Sequence, residues 1–266
     1  MRLLFSTTPL DGHFRPLLPL ARSLAARGHD VAFATAASWH ANVEAERQSG
    51  ATAGAFEGLY VDVVPPSLAD ERPIGPSIRL RISGGESVDP PPWLERLPRP
   101  LVYATMGTVF NSPESFAPLI DGLATAGVGA LLTVGRNVDP STLGDVPPNV
   151  TVERFVPQAQ VLGSCAAVVS HGGSGTLLGA LAAGLPLVLI PRGADQFENA
   201  ARCERAGAAV VLEPDKVTGD AIAAAVRLVL SEPAYAVAAR RIAAEFEEMG
   251  TPDEVAAAVE EHVGAR

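Results

Sequence analysis

His171-Gly172-Gly173-Ser174-Gly175-Thr176 places one imidazole, three glycines and two hydroxyls in a single short stretch. The apolar run Ala166 to Ser170 leads into it, and an Ala/Leu-rich helical pattern from Leu177 leads out. The order is therefore strand, tight loop, helix start. The first N–H groups of a helix lack intrahelical partners and lie at the positive end of its dipole, so the guest best suited to such a loop is a phosphate. Glycines permit close backbone approach. Ser174 and Thr176 can donate to phosphate oxygens, and His171 can donate or carry positive charge. A merely structural turn is the alternative, but a turn needs neither both hydroxyls nor a histidine. The stretch fits no standard phosphate expression. It has no lysine after the glycines, so it is not a Walker A loop. Gly173 and Gly175 are followed by Leu178 where a dinucleotide fingerprint requires glycine, which argues against a dehydrogenase. Thr176 stands where a nucleophile elbow centred on Ser174 would need glycine.

Other chemically able residues fall at the exits of other apolar runs. Asp195-Gln196 follows the run Pro186 to Ile190; an adjacent carboxylate and amide suit the hydroxyls of a polyol. Capping of the next helix by Asp195 is the alternative reading. Phe155-Val156-Pro157-Gln158 follows Val150 to Val152, where the proline fixes a turn whose backbone could read a flat base edge. Thr105-Met106-Gly107-Thr108 is a further turn with two hydroxyls and a glycine, and Arg136 follows the run Ala130 to Val134. His13 lies in the loop after the first apolar run, in position to be a general base; a surface loop histidine is the alternative. Several such loops on one rim of one sheet say more than any one of them.

The elements that must hold these loops alternate along the chain. Leu3 to Ser6 and Val31 to Thr35 are expected strands, joined by a helix with Pro16 in its first turn and Arg27-Gly28 at its end. That is a parallel strand–helix–strand unit. A helix is expected from Trp39 to Gln48 and a short run from Tyr60 to Val64, too few strands for a full doubly wound half. Residues 84–100 read as a linker rich in breakers. Beyond it, strands at Leu101 to Ala104, Ala130 to Val134, Val150 to Val152, Ala166 to Ser170, Pro186 to Ile190 and Ala208 to Leu212 alternate with helices. One helix is expected to be capped by Ser112, with Pro113 at its first position. This rhythm predicts a parallel sheet covered on both faces. The expected domains are 1–83, the linker 84–100, and 101–266.

Bulk properties narrow the function. The chain has 266 residues, 47% hydrophobic, and a net charge of −10. That charge is spread along the chain, which argues against a nucleic-acid footprint or an anionic membrane surface. Cys165 and Cys203 sit in apolar contexts without partner spacing and read as free buried thiols of a reducing compartment. No apolar run is long enough to span a bilayer, and the N-terminal run is too short for a signal peptide. The expected location is the cytoplasm, without integral membrane association.

In their order and spacing, Thr105 to Thr108, Phe155 to Gln158, His171 to Thr176 and Asp195-Gln196 resemble the donor half of GT-B nucleotide-sugar glycosyltransferases, above all those that glycosylate antibiotics and other secondary metabolites. Gly12-His13-Phe14-Arg15-Pro16 to Leu20 is similar to the family's opening motif, and Val61 to Leu68 to its segment before the interdomain linker. The resemblance implies an α/β, GT-B fold: two Rossmann-like domains with parallel sheets, donor site in the C-terminal one and acceptor site in the N-terminal one. It also implies that the N-terminal domain here lacks a central portion, between about Ala55 and Gly58. That portion includes the stretch that supplies an acidic partner to the catalytic histidine. The implied reaction is inverting transfer of a sugar, from a TDP-deoxysugar, to a hydroxyl of a small hydrophobic acceptor. His13 would be the base. Gly173, Ser174, Gly175, Thr176 and His171 would hold the diphosphate, and Gly107, Thr108 and Phe155 would belong to the donor-binding set. Val156 and Gln158 would contact the base, Arg136 the nucleotide, and Asp195 and Gln196 the sugar. No cofactor beyond the nucleotide-sugar co-substrate is expected. No D-x-D pair stands in a suitable loop, so no metal is expected. A homodimer is allowed. An epimerase or hydrolase of the same fold and a non-catalytic nucleotide-sugar-binding module are the alternatives.

Overall fold

The computed structural model describes residues 2–6, 17–34, 59–69, 77–81, 89–107, 115–136 and 138–264. The chain divides into two compact units, one of residues 1–83 with 245–266, the other of residues 84–244.

In the first unit, β1 (Arg2–Ser6) pairs in parallel with β2 (Asp30–Ala34), with Leu3 opposite Val31 and Phe5 opposite Phe33. The crossover contains α1 (Leu18–Ala26), whose Leu20 and Leu24 are buried. A second parallel pair joins β3 (Tyr60–Asp62) to β4 (Ser77–Arg79). The expected helix over Trp39 to Gln48 lies outside the described residues.

The C-terminus differs from the sequence-based boundary. Residues 245–266 group with the first unit, and 84–100 with the second. The reason is apolar packing: α7 (Pro252–Gly264) buries Val255 and Ala256 in one cluster with Leu20, Leu24 and Leu80. Polar links reinforce it. Ser23 Oγ donates to Asp253 at 2.5 Å, Arg27 to Glu260 at 2.9 Å, and His29 Nε2 pairs with Glu260 at 2.7 Å.

The second unit is a six-stranded parallel sheet. Its strands are β5 (Leu101–Thr105), β6 (Gly129–Thr133), β7 (Val150–Glu153), β8 (Ala167–Ser170), β9 (Leu187–Leu189) and β10 (Ala209–Val211), in the spatial order β10-β9-β8-β5-β6-β7. Every residue of β5, β6, β8 and β9 is buried. Such strands need apolar residues on both faces, which is why they read as continuous runs rather than alternations. Helices α2 (Ala117–Ala126), α3 (Ser174–Ala182), α4 (Gln196–Arg205) and α5 (Gly219–Ser231) intervene, and α6 (Pro233–Glu248) follows. Pro118 stands in the first turn of α2; the cap expected at Ser112 with Pro113 lies outside the described residues. Gly122 lets α2 approach α5 closely, since a Cβ there would sit 2.6 Å from the Cβ of Ile222.

Candidate functional site

The strand order reverses between β5 and β8. From β5 the sheet runs to β6 and β7 on one side; from β8 it runs to β9 and β10 on the other. Open parallel sheets bind ligands beyond the carboxyl ends of the strands at such a point. The two loops leaving it are built alike. Thr105 Oγ1 accepts from the Gly107 N–H at 3.2 Å, and Ser170 Oγ from the Gly172 N–H at 3.3 Å. In each case a hydroxyl at the strand end turns the backbone two residues on. Each glycine then takes a positive φ, +73° at Gly107 and +84° at Gly172, which an L side chain adopts only with strain.

His171 fills the space that Gly107 and Gly173 leave. A Cβ on Gly107 would lie 2.5 Å from its Cε1, and one on Gly173 would lie 2.5 Å from its Nε2. Both glycines therefore make room for the imidazole. Its Nδ1 is buried and has no hydrogen-bond partner among the described residues. Burial pushes the His171 pKa below the usual histidine range, opposed more weakly by the Asp195 carboxylate and the Thr105 backbone. The ring is therefore neutral near pH 7, and an anion beside it would favour the charged form.

The start of α3 completes one side. Gly173 occupies its N-cap without a side-chain cap. The first turn closes with the Leu177 N–H on Gly173 O at 3.1 Å. Among the described residues, nothing accepts from the N–H groups of Ser174, Gly175 or Thr176. The two hydroxyls are engaged in opposite senses. Thr176 Oγ1 accepts from Gln158 Nε2 at 2.8 Å, which leaves its own proton free. Ser174 Oγ donates to Asp195 Oδ2 at 2.9 Å, which occupies its proton.

Asp195 stands at the N-cap of α4 but makes no side-chain cap. Its carboxylate turns to Ser174 and accepts as well from Asn199 Nδ2 at 3.0 Å. Asn199 also donates to Gly172 O at 3.1 Å and lies 3.3 Å from Ser174 Oγ. Sequence reasoning missed Asn199; its place four residues after Asp195, one helical turn on, was the available signal. Gln196 is buried, and its Oε1 accepts from the N–H groups of Arg192 at 2.8 Å and Gly193 at 3.2 Å. It therefore holds the loop in which Ala194 has a φ of +54°.

On the other side of β5, the exits of β6 and β7 stay paired: Val134 N–H donates to Glu153 O at 3.1 Å and Gly135 N–H to Arg154 O at 2.9 Å. This brings Arg136 over the Phe155 ring, 4.5 Å from its centroid. Phe155 is 45% exposed, whereas Val156 is buried. Arg154 pairs with Asp139 at 2.9 Å, and Asp139 caps the turn at Ser141. Those hydrogen bonds hold the Asp139 carboxyl below the usual carboxylate range. His13 and Thr108 lie outside the described residues. Among the described residues, no group of three or more His, Cys, Asp or Glu is arranged to hold a metal ion.

A doubly wound sheet that presents helix N–H groups, hydroxyls and an imidazole at its switch point has the architecture of nucleotide-binding domains. More narrowly, residues 119–262 match the erythromycin biosynthesis protein CIII-like, C-terminal domain family, and the chain belongs to it. It is 36% identical over 207 residues to the elloramycin glycosyltransferase ElmGT of Streptomyces olivaceus, covering 76% of this chain and 52% of that protein. It is 32% identical over 163 residues to the NDP-glycosyltransferase YjiC of Bacillus subtilis (strain 168), covering 61% of this chain and 42% of that one. The chain thus spans about half the length of the curated relatives it matches. The glycosyltransferase VinC, solved in complex with dTDP, superposes with a TM-score of 0.77 at 20% identity, covering 100% of both chains. The fold is α/β with parallel sheets and matches GT-B glycosyltransferase structures.

Proposed function

We propose that this chain belongs to an enzyme that transfers a sugar from a nucleoside diphosphate, TDP by preference, to a hydroxyl of a small hydrophobic natural product, with inversion and without a metal. The observation that carries the reading is the cradle at the β5/β8 switch point, where the N–H groups of the α3 start and the free Thr176 proton accompany the His171 ring packed against Gly107 and Gly173. The glycosyltransferase names of the relatives support the reaction, and the dTDP bound to VinC supports the nucleotide.

In the proposed reaction His13 takes the proton of the acceptor hydroxyl. The oxygen attacks the anomeric carbon on the face opposite the diphosphate. The carbon–oxygen bond to the diphosphate breaks, and its electron pair stays on the phosphate. The N–H groups of Ser174, Gly175 and Thr176 with His171 stabilise that charge, the role elsewhere given to a metal. In this reading the Arg136–Phe155 pair, the Val156 backbone and Gln158 serve the nucleotide, and Gly107 and Thr108 belong to the same donor site. Asp195 accepts from sugar hydroxyls, and Gln196 holds the loop that presents it.

Replacing both cradle hydroxyls (Ser174→Ala with Thr176→Ala) is expected to weaken TDP binding by at least about tenfold, since the Thr176 hydroxyl keeps its proton for a phosphate oxygen and one hydrogen bond to a charged group contributes about 1.5–3 kcal/mol. Unchanged affinity by calorimetry would overturn the phosphate assignment. His13→Ala is expected to abolish transfer while sparing TDP binding; turnover retained by that variant removes His13 as the base.

A further inference from the structure

A serine hydroxyl has one proton to give. Here Ser174 gives it to Asp195, at 2.9 Å, and not to the space in front of the α3 N-terminus. Asn199 fixes the arrangement from behind. Its amide reaches Gly172 O at 3.1 Å and Asp195 Oδ2 at 3.0 Å, which joins the glycine loop to the carboxylate. Asp195 meanwhile forgoes capping its own helix, an interaction that ordinarily contributes stability. The neighbouring hydroxyl is arranged the other way: Thr176 accepts from Gln158 and keeps its proton.

We propose that Ser174, Asp195 and Asn199 form a hydrogen-bond exchange that makes binding of the diphosphate and of the sugar hydroxyls interdependent. The proposal rests on the functional reading above. In the free protein Asp195 competes with phosphate for the Ser174 proton. A sugar hydroxyl that donates to Asp195 replaces Ser174 as its partner. Ser174 then rotates its proton to a phosphate oxygen, so no buried donor or acceptor is left unmatched at any stage. A nucleoside diphosphate alone lacks that hydroxyl and must bind with Ser174 still held, or pull it away at a cost. The site thereby favours the intact donor over the spent nucleotide. Asn199 is a positioning residue: it touches neither ligand and aims the carboxylate at Ser174.

The test is TDP affinity by calorimetry for the unaltered protein and for Asp195→Ala, Ser174→Ala and the double variant. Removing the carboxylate relieves charge repulsion equally with or without the serine. Release of the Ser174 proton helps only where the serine is present. The gain from Asp195→Ala is therefore expected to be about fivefold larger in the Ser174 background than in the Ser174→Ala background. Asp195→Asn separates the two effects, because its carbonyl still accepts from Ser174 while the charge is gone. Its gain is expected to be the same in both backgrounds. Equal gains from Asp195→Ala in the two backgrounds would overturn the exchange while leaving the phosphate site in place. Absence of TDP binding by the unaltered protein would overturn the functional reading, and the exchange with it.

Discussion

His171 shows how far one side chain depends on residues that carry no functional group. Its ring occupies space that Gly107 and Gly173 keep open. Gly107→Ala is expected to displace the ring and to strain a backbone at φ +73°, costing about 1–2 kcal/mol. The loss should show as a lower melting temperature together with weaker TDP binding. The protonation of His171 gives a second prediction. Its folded pKa is lowered by burial, so the free protein binds fewer protons than the unfolded chain as pH falls below the ordinary histidine value of ~6.5. Stability from this group is therefore full above that pH and declines below it. A bound diphosphate favours the charged ring, so binding should take up protons, and TDP affinity should rise as pH drops from 8 to 6. Calorimetry at pH 6.5 in buffers of different ionisation enthalpy measures that uptake; zero uptake would remove His171 from the phosphate contact. The residue types of the cradle were legible in the sequence because glycines, hydroxyls and a histidine at a strand-to-helix turn have few other joint uses. The direction of each hydrogen bond was not. Whether Ser174 gives its proton to phosphate or to Asp195 depends on a carboxylate twenty-one residues on, and only the folded backbone decides it.

At the scale of elements, the strands were read within a residue or so, because doubly covered parallel strands leave uninterrupted apolar runs. β4 was not. β4 carries one large apolar residue, Ile78, and owes its place to parallel pairing with β3 and to the bridge from Leu80 to Gly250. The allegiance of α7 was equally invisible, since an amphipathic helix does not name the surface it will cover. Its start is well marked: the Thr251 N–H donates to Glu254 at 2.8 Å, and Thr251 Oγ1 accepts from the Glu254 N–H at 3.3 Å, a reciprocal capping box. These bonds hold the Glu254 carboxyl below its usual range. Their contribution is present above the unfolded carboxylate pKa and is lost as pH falls through the folded value. Thr251→Ala should therefore lower the melting temperature at pH 7 and have a smaller effect near pH 3. Gly122→Ala tests the α2–α5 contact: the added methyl meets the Ile222 side chain, and a cost of about 1–3 kcal/mol is expected from overpacking, read by chemical denaturation.

For the whole molecule, two units with separate cores predict two unfolding transitions rather than one. The cradle lies wholly in residues 84–244, so TDP should raise only the transition of that unit, by mass action on its folded state. Cys165 and Cys203 are free, and burial pushes both thiols up to about 12. They should resist thiol reagents at pH 8 until the second unit unfolds, which provides an independent probe of that transition. Among the described residues, no single helix is long and apolar enough to cross a membrane. Under the proposed function, the β5/β8 switch point holds the diphosphate of a sugar donor. Titration of the protein with TDP, alongside the variant lacking both the Ser174 and Thr176 hydroxyls, tests it most directly. Saturable one-to-one binding that falls by at least about tenfold in the variant is expected; no binding by the unaltered protein, or equal binding by both, would overturn the assignment.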